Sequence, residues 1–152
     1  MEDETKRGKM IGEVYSVLLD HLKRHEGYSS KAYQDHLGHW TIGYGRRIDG
    51  DKGLTVDEST VLLKNDVADA KTQLEAHVNL PANIDEVRHA ILVAMVFQLG
   101  IGTFLKFKKM VSAIEISDWE KAGTEALDSR WAKQTPRRAE EVAKILKEGF
   151  WT

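Results

Sequence analysis

Two carboxylates and one hydroxyl lie close together in the sequence. Asp35 follows Glu26 by nine residues, and Thr41 follows Asp35 by six. Glycoside hydrolysis requires two carboxyl groups that flank one bond, because one donates a proton to the leaving oxygen and the other activates the nucleophile. A hydroxyl beside the second carboxylate can hold and polarise a water molecule. The residue types and their spacing therefore indicate acid–base chemistry at Glu26, Asp35 and Thr41.

Each of these residues also has an ordinary structural interpretation. Glu26 could be a solvated acid at a helix end, Asp35 a turn residue and Thr41 a strand threonine. The place of Glu26 favours the catalytic interpretation, because the negative end of a helix dipole disfavours the charged form of a carboxylate. A general acid that works near neutral pH needs such a group.

The elements that position these residues follow from apolar spacing and glycines. A helix that ends near Gly27 is predicted by apolar residues at helical spacing: Ile11, Val14, Tyr15, Leu18, Leu19 and Leu22. Residues 28–51 mix aromatic and β-branched residues with glycines, which predicts a small hairpin or β-meander with a turn at His36-Leu37-Gly38. Glycine-rich strands beside aromatic residues would let a flat sugar ring approach, so Tyr33 and Trp40 are candidate substrate-binding residues.

Capping patterns predict the next helices. Thr55-Val56-Asp57-Glu58 forms a capping box and begins a helix that continues to about Val78. Asn83 to Glu86 repeats the capping pattern before an apolar run at residues 87–97, which predicts a central helix with residues 91–97 in the core. Gly100 and Gly102 are expected to end that helix.

The C-terminal part of the chain is predicted to be helical. Short helices are expected around residues 104–109 and 111–116, and Ser117-Asp118-Trp119-Glu120 caps another helix. Thr135-Pro136 begins the last helix, since proline is permitted at the first helical position, and Gly149 ends it. The predicted class is α+β, mostly α, with β structure confined to about residues 28–51.

Composition excludes several classes of protein. The chain has 152 residues and 41% apolar content, enough for one compact domain or two small lobes with a shared core. Its 22 basic and 24 acidic residues give a formal net charge of −2, which argues against nucleic-acid binding by bulk charge. The absence of cysteine excludes disulfides and thiolate sites. No apolar run reaches membrane-spanning length and no secretory signal is recognisable, so no membrane insertion is expected.

The segment around the candidate residues resembles a family signature. HEG-x5-Y-x-D-x4-WTIGYG, from His25 to Gly45, is similar to the motif of the T-even phage lysozymes, the muramidases of glycoside hydrolase family 24. Further similar blocks follow in family order: Asp57-Glu58 with Asp66-Val67, Met95 to Gly100, Ser129-Arg130-Trp131, Gln134-Thr135-Pro136 and Arg138-Ala139. The resemblance extends from about residue 15 to the end of the chain.

The resemblance implies a lysozyme-like, two-lobed fold. A small N-terminal β-hairpin lobe would cover about residues 11–54, a connecting helix about 55–78 and a helical C-terminal lobe about 79–152. Residues 1–10 would form a flexible, charged N-terminal extension. The segment between Thr41 and Thr55 is shorter than in the T-even form, so the small lobe is expected to be trimmed.

The resemblance also implies an activity. The chain would be a lysozyme that hydrolyses the β-1,4 bond between N-acetylmuramic acid and N-acetylglucosamine in bacterial peptidoglycan. Glu26 would protonate the leaving oxygen, while Asp35 and Thr41 would position the attacking water. The family mechanism is inverting, so no covalent sugar intermediate is implied, and no cofactor or metal is expected.

Five further residues match family positions. Gln98 would contact substrate, and Trp131 would be a buried aromatic residue that supports this part of the cleft. Arg138 would pair with the catalytic glutamate. Arg46 and Asp66 would form an ion pair that joins the hairpin to the long helix.

The same resemblance implies a biological setting. A phage endolysin accumulates in the host cytoplasm until a holin pore releases it to the periplasm and cell wall. We therefore expect a monomer whose partner is peptidoglycan. The protein would depend on a holin and would bind no nucleic acid.

Two other interpretations stay open. His21 and His25 are four residues apart on one helix and, with Asp35, His36 or His39, could bind zinc and activate water. The HEG sequence lacks the second histidine of H-E-x-x-H, which disfavours a zinc enzyme. A non-catalytic glycan-binding module is the other alternative, and it would be expected to lack one of the acids.

Overall fold

The computed structural model describes the backbone of residues 2–151 and the side chains of residues 3, 4, 6 and 12–151. The elements, in chain order, are α1 (Glu2–Glu26), β1 (Ser29–Gln34), β2 (Trp40–Gly43), β3 (Arg46–Arg47), α2 (Val56–His77), α3 (Glu86–Leu99), α4 (Ile101–Phe104), α5 (Lys108–Glu115), α6 (Trp119–Leu127), α7 (Arg130–Gln134) and α8 (Pro136–Glu148). This order confirms the predicted α+β class that is mostly α. Met1 and Thr152, the ends of the predicted extension and helical lobe, lie outside the described residues.

The chain divides into two units between Ser59 and Thr60. The first unit holds α1, the sheet and the first residues of α2. The second unit holds the rest of α2 and the helices α3 to α8. The predicted lobe boundaries near residues 54 and 78 stay predictions.

Helix α1 begins earlier than the apolar spacing predicts. It starts at Glu2, so residues 2–10 of the predicted extension are helical. Asp3 and Glu4 lie in the first turn, where acidic side chains interact favourably with the positive end of the helix dipole. No helix within residues 2–151, α1 included, is long and apolar enough to cross a bilayer.

A small antiparallel sheet follows α1. The strand order is β1-β2-β3, and Tyr33 lies opposite Thr41 in the β1–β2 pair. The Asp35 N–H donates to the His39 carbonyl at 2.9 Å and closes the connection between these strands. The turn predicted at His36-Leu37-Gly38 is therefore confirmed.

The capping box at Thr55 is present at the start of α2. The Thr55 hydroxyl accepts a hydrogen bond from the Glu58 N–H at 3.2 Å, as the pattern predicts. The hydroxyl also donates to the Glu58 carboxylate at 3.1 Å. The helix ends at His77, one residue before the predicted Val78.

The core of the second unit is built around α3. Its buried residues are Ile91, Leu92, Val93, Met95 and Val96. Phe104, Met110, Ile114 and Leu146 are fully buried around this helix. Phe97 is 43% exposed, so the prediction that residues 91–97 are all core is wrong for this residue. Successive residues turn around a helix axis, and an apolar run therefore extends past the buried face.

Two predictions about the ends of α3 need correction. The N-cap is Asp85, whose carboxylate accepts from the Arg88 N–H at 3.0 Å, rather than Asn83. This spacing fits capping geometry, because the cap residue bonds the N–H groups two or three positions later. Gly100 ends α3 with φ of 76°, as predicted, but Gly102 lies inside α4.

Some starts and ends of the C-terminal helices are as predicted, and others are not. Asp118 caps α6, Pro136 begins α8 and Gly149 ends it with φ of 75°, as predicted. The short helices α4 and α5 lie at residues 101–104 and 108–115, displaced from the predicted positions. Helix α7 was not predicted, although Ser129 caps it by accepting from the Ala132 N–H at 3.1 Å.

Arg88 joins the start of α3 to the end of α8. From the first turn of α3, its guanidinium donates to the Leu146 carbonyl at 2.6 Å and the Lys147 carbonyl at 2.8 Å. The guanidinium also stacks over the Trp119 ring at 5.1 Å. These carbonyls lie in the last turn of α8, where the helix itself leaves them without partners.

Two nearby isoleucines give a direct test of the core. Ile114→Ala should lower the free energy of unfolding by about 2–5 kcal/mol, because Ile114 is fully buried and its truncation leaves a cavity. Ile116→Ala should change it by less than about 0.5 kcal/mol, because Ile116 is 75% exposed. Urea unfolding followed by circular dichroism measures both values. Equal effects of the two substitutions would contradict this core.

Candidate active site

Glu26 is the last residue of α1, and its carboxylate lies against the turn between β2 and β3. The helix ends here because Gly27 adopts φ of 71° while its N–H donates to the Lys23 carbonyl at 3.2 Å. A Cβ atom built on Gly45 would lie 2.8 Å from Oε2 of Glu26 and 3.5 Å from its Cδ. The end of α1 and Gly45 therefore place this carboxylate.

Asp35 directly follows β1 and uses its carboxylate to hold the turn. Its Oδ1 accepts from the Leu37 N–H and the His39 N–H, each at 2.9 Å. The His39 N–H contributes most to lowering the pKa of Asp35; desolvation opposes the shift and the Leu37 N–H adds to it. Asp35 is therefore ionised at neutral pH, as a group that orients or deprotonates water must be.

Thr41 is buried in β2, with 4% of its surface exposed. Its hydroxyl donates to the His39 carbonyl at 3.1 Å. Since the hydroxyl proton is used in this bond, the lone pairs of Oγ1 stay available to accept a hydrogen bond from a water molecule. The geometry thus gives Thr41 an acceptor role beside the turn that holds Asp35.

The predicted aromatic residues lie on the same sheet. Tyr33 is 37% exposed and Trp40 is 46% exposed, so both rings are accessible to a ligand. Sequence reasoning missed Asp49, which accepts the Trp40 N–H at 3.0 Å and pairs with Arg47 at 2.7 Å. The Arg47 guanidinium is the main cause that lowers the pKa of Asp49. The signal that could have revealed Asp49 is its place before Gly50, since aspartate commonly bonds backbone groups in turns.

Arg46 makes an ion pair with an acid in the first turn of α2. Its guanidinium contacts the Glu58 carboxylate and donates to the Gly53 carbonyl at 3.3 Å. Arg46 is the main cause that lowers the pKa of Glu58. Asp66 lies two turns further along α2, in the second unit, and its predicted pairing with Arg46 stays a prediction.

Besides Asp66, three more predicted residues lie in the second unit. Gln98 and Arg138 are exposed and line one open pocket of about 540 Å³, together with Pro136. The structure therefore brings these two predicted residues together. The predicted pairing of Arg138 with Glu26 concerns both units and stays a prediction.

Trp131 belongs to a separate pocket of the second unit. It is buried, with 7% exposure, and meets the Phe107 ring edge-on at a centroid distance of 6.3 Å. The pocket has a volume of about 680 Å³ and is also lined by Leu99, Lys106 and Gln134. It combines apolar walls with polar and cationic groups, a common composition for ligand pockets.

The histidines show no metal centre in the described part of the chain. The His21 and His25 rings on α1 lie against each other at a centroid distance of 4.3 Å and an interplanar angle of 45°. His39 Nδ1 lies 4.0 Å from the Asp49 carboxylate. Among the described side chains, those of residues 3, 4, 6 and 12–151, no three histidines or acids come together in a group that could hold a metal ion. The zinc interpretation therefore has no ligand set within these residues.

Comparison with known proteins adds a family match. The family model described as Phage lysozyme matches residues 23–147, which include Glu26, Asp35 and Thr41. A probable T4-type lysozyme 2 of Dictyostelium discoideum is 32% identical over 90% of this chain and 96% of that protein. The endolysin of Salmonella phage P22 is 30% identical over 73% of this chain and 86% of that protein. The resemblance inferred from the sequence motifs is confirmed.

A further relative is a larger protein. The pre-baseplate central spike protein Gp5 of Enterobacteria phage T4 is 31% identical over 87% of this chain. The chain spans only 28% of the length of that spike protein. The similarity therefore concerns one region of it.

The hydrogen bonds to Asp35 predict how it titrates. Its pKa should lie below the ordinary value of 3.8 in the folded protein, because two N–H groups stabilise the carboxylate. A lowered pKa means that this stabilisation is complete above the pKa of the unfolded chain and is lost as pH falls through the folded pKa. NMR titration of the Asp35 carboxyl carbon measures the midpoint directly.

A control for this titration is Asp35→Asn, which keeps an acceptor oxygen but cannot ionise. This variant should lose the part of the acid dependence of unfolding that Asp35 causes. A midpoint at or above 3.8, or an unchanged acid dependence in the variant, would contradict the prediction.

Proposed function

The chain belongs to the phage lysozyme family, and from this premise we propose that it hydrolyses the β-1,4 bond between N-acetylmuramic acid and N-acetylglucosamine in bacterial peptidoglycan. The family match confirms that the protein is a lysozyme-type enzyme. The observation that carries the proposed mechanism is the turn at residues 35–41. It supplies an ionised carboxylate and an acceptor hydroxyl that both bond to the backbone of His39.

Glu26 acts as the general acid in this proposal. Its carboxyl group at the end of α1 donates a proton to the glycosidic oxygen as the bond to the anomeric carbon breaks. The contact with Gly45 brings this group to the β2–β3 turn of the sheet that carries Thr41. Arg138 is proposed to pair with the resulting carboxylate.

Asp35 and Thr41 act on the water. The Thr41 Oγ1 accepts a hydrogen bond from the water, because its own O–H group donates to the His39 carbonyl. The ionised Asp35 accepts the proton that the water loses as its oxygen attacks the anomeric carbon. One displacement then gives an inverted product, with the proton from Glu26 on the leaving oxygen and the proton from water on Asp35.

Aromatic and polar side chains would bind the glycan. Tyr33 and Trp40 present exposed rings, on which the faces of sugars can pack. Gln98 offers an exposed amide that can hydrogen-bond to sugar substituents. Trp131 supports the second-unit pocket from its buried position. No nucleic acid is expected to compete, because the net charge is −2.

The proposed setting is host lysis by a phage. The endolysin similarity supports an enzyme that stays in the host cytoplasm until a holin pore gives it access to the periplasm and cell wall. The enzyme is proposed to act as a monomer without a cofactor, since proton transfer and a positioned water carry the reaction.

Glu26→Gln tests the assignment of the acid. It should lower the rate of peptidoglycan hydrolysis by roughly 10²–10⁴-fold, because an amide cannot donate the proton. Glu13→Gln is the matched control, since it changes an exposed glutamate on the same helix and should leave the rate unchanged. Circular dichroism confirms that both variants fold. A Glu26→Gln enzyme with normal activity would refute the proposed mechanism.

The products of purified peptidoglycan test the reaction type. Hydrolysis in ¹⁸O water should leave a labelled reducing-end muramic acid, and NMR of the initial product should show the inverted anomer. A 1,6-anhydro end would identify a transglycosylase. A retained anomer, or a glycosyl adduct trapped on Asp35, would identify a covalent mechanism. Binding without any product would identify a non-catalytic glycan-binding module.

A further inference from the structure

Gly45 is the glycine whose backbone lies against the carboxylate of Glu26. It adopts φ of +84° between Tyr44 and β3. A Cβ atom at this position would lie 2.8 Å from Oε2, 3.5 Å from Cδ and 3.7 Å from Cβ of Glu26. The first of these distances is shorter than carbon–oxygen contacts between real side chains allow, so any residue other than glycine must displace the carboxylate.

Gly43 provides the contrast within the same segment. It also has a positive φ, +67°, but a Cβ built there meets no atom within 4 Å. Glycine at this position therefore satisfies only a backbone requirement. Gly45 satisfies two requirements, the backbone conformation and the space that Glu26 occupies. The sequence WTIGYG does not distinguish them.

The two atoms closest to a Cβ at Gly45, Oε2 and Cδ of Glu26, belong to the far end of a flexible side chain. Glu26 is exposed and can move its carboxylate by rotating about its side-chain bonds, so relief of the contact costs little stability. The same rotation moves the acid away from the turn. An added side chain at Gly45 is therefore expected to affect the chemistry more than the fold.

We propose that Gly45 is a positioning residue for the general acid: the absence of its side chain keeps the Glu26 carboxylate against the β2–β3 turn. This inference rests on the proposed role of Glu26. Gly45 acts through Glu26, so its effect should be on the chemical step. Misplacement of a catalytic group by about 1 Å can reduce a rate on the order of 10²-fold.

The test compares Gly45→Ala with Gly43→Ala. Both substitutions place a side chain at positive φ, and both should lower the melting temperature by similar amounts. Only Gly45→Ala should lower kcat, on the order of 10²-fold, with KM within about twofold of the original value. The substrate is a soluble peptidoglycan oligosaccharide of defined length, so that kcat and KM are measured separately.

A double variant shows whether Gly45 acts through the acid. Gly45→Ala should cause no further loss of kcat in the Glu26→Gln background, because the group that it displaces can no longer donate a proton. If Gly45→Ala does not fold, Gly45→Asn replaces it, with Gly43→Asn as its control. Asparagine adopts positive φ more readily than alanine and still carries a Cβ atom.

Three outcomes would overturn the proposal. These are an unchanged kcat in a folded Gly45 variant, an equal loss of kcat in the Gly43 variant, and a further loss in the Glu26→Gln background. The proposed function is tested separately by Glu26→Gln alone. If that single variant is inactive while a folded Gly45 variant keeps its kcat, only the positioning role fails.

Discussion

The backbone of His39 is the point on which the arrangement of the site depends. Its N–H binds the Asp35 carboxylate, and its carbonyl accepts both the Asp35 N–H and the Thr41 hydroxyl. These bonds define the β1–β2 turn and, at the same time, the ionisation of Asp35 and the direction of the Thr41 proton. A change of register in this hairpin would therefore alter both functional groups together. The chemistry of the site is a property of the turn as well as of its side chains.

Local patterns were sufficient for much of the fold. Thr55 and Pro136 mark helix starts correctly, because capping and the permitted place of proline depend on neighbouring residues alone. Competing signals explain the errors. Asn83 and Asp85 are both good caps, and only the path of the chain decides that Asp85 is used. Helix α7 has five residues, too few to show an apolar period.

The sequence was sufficient to name candidate residues for the site, but not the contacts that these residues make. The sequence identified Asp35 as both a turn residue and a candidate carboxylate for catalysis, and the hydrogen bonds show that the turn itself keeps it ionised. The contact of Arg46 with Glu58 was not predicted, because several acids follow Arg46 and sequence alone does not show which of them lies near its guanidinium. The space that Gly45 leaves for Glu26 is likewise visible only in three dimensions.

The contacts of Arg88 connect residues that are almost sixty positions apart in the sequence. Because its side chain is only 18% exposed, it would be poorly solvated if the carbonyls of Leu146 and Lys147 moved away. Fraying of the last turn of α8 therefore carries a penalty at the start of α3, which lies in the core. The amide hydrogens in the last turn of α8 should consequently exchange with solvent as slowly as those of the core. The two regions would then open as one cooperative unit.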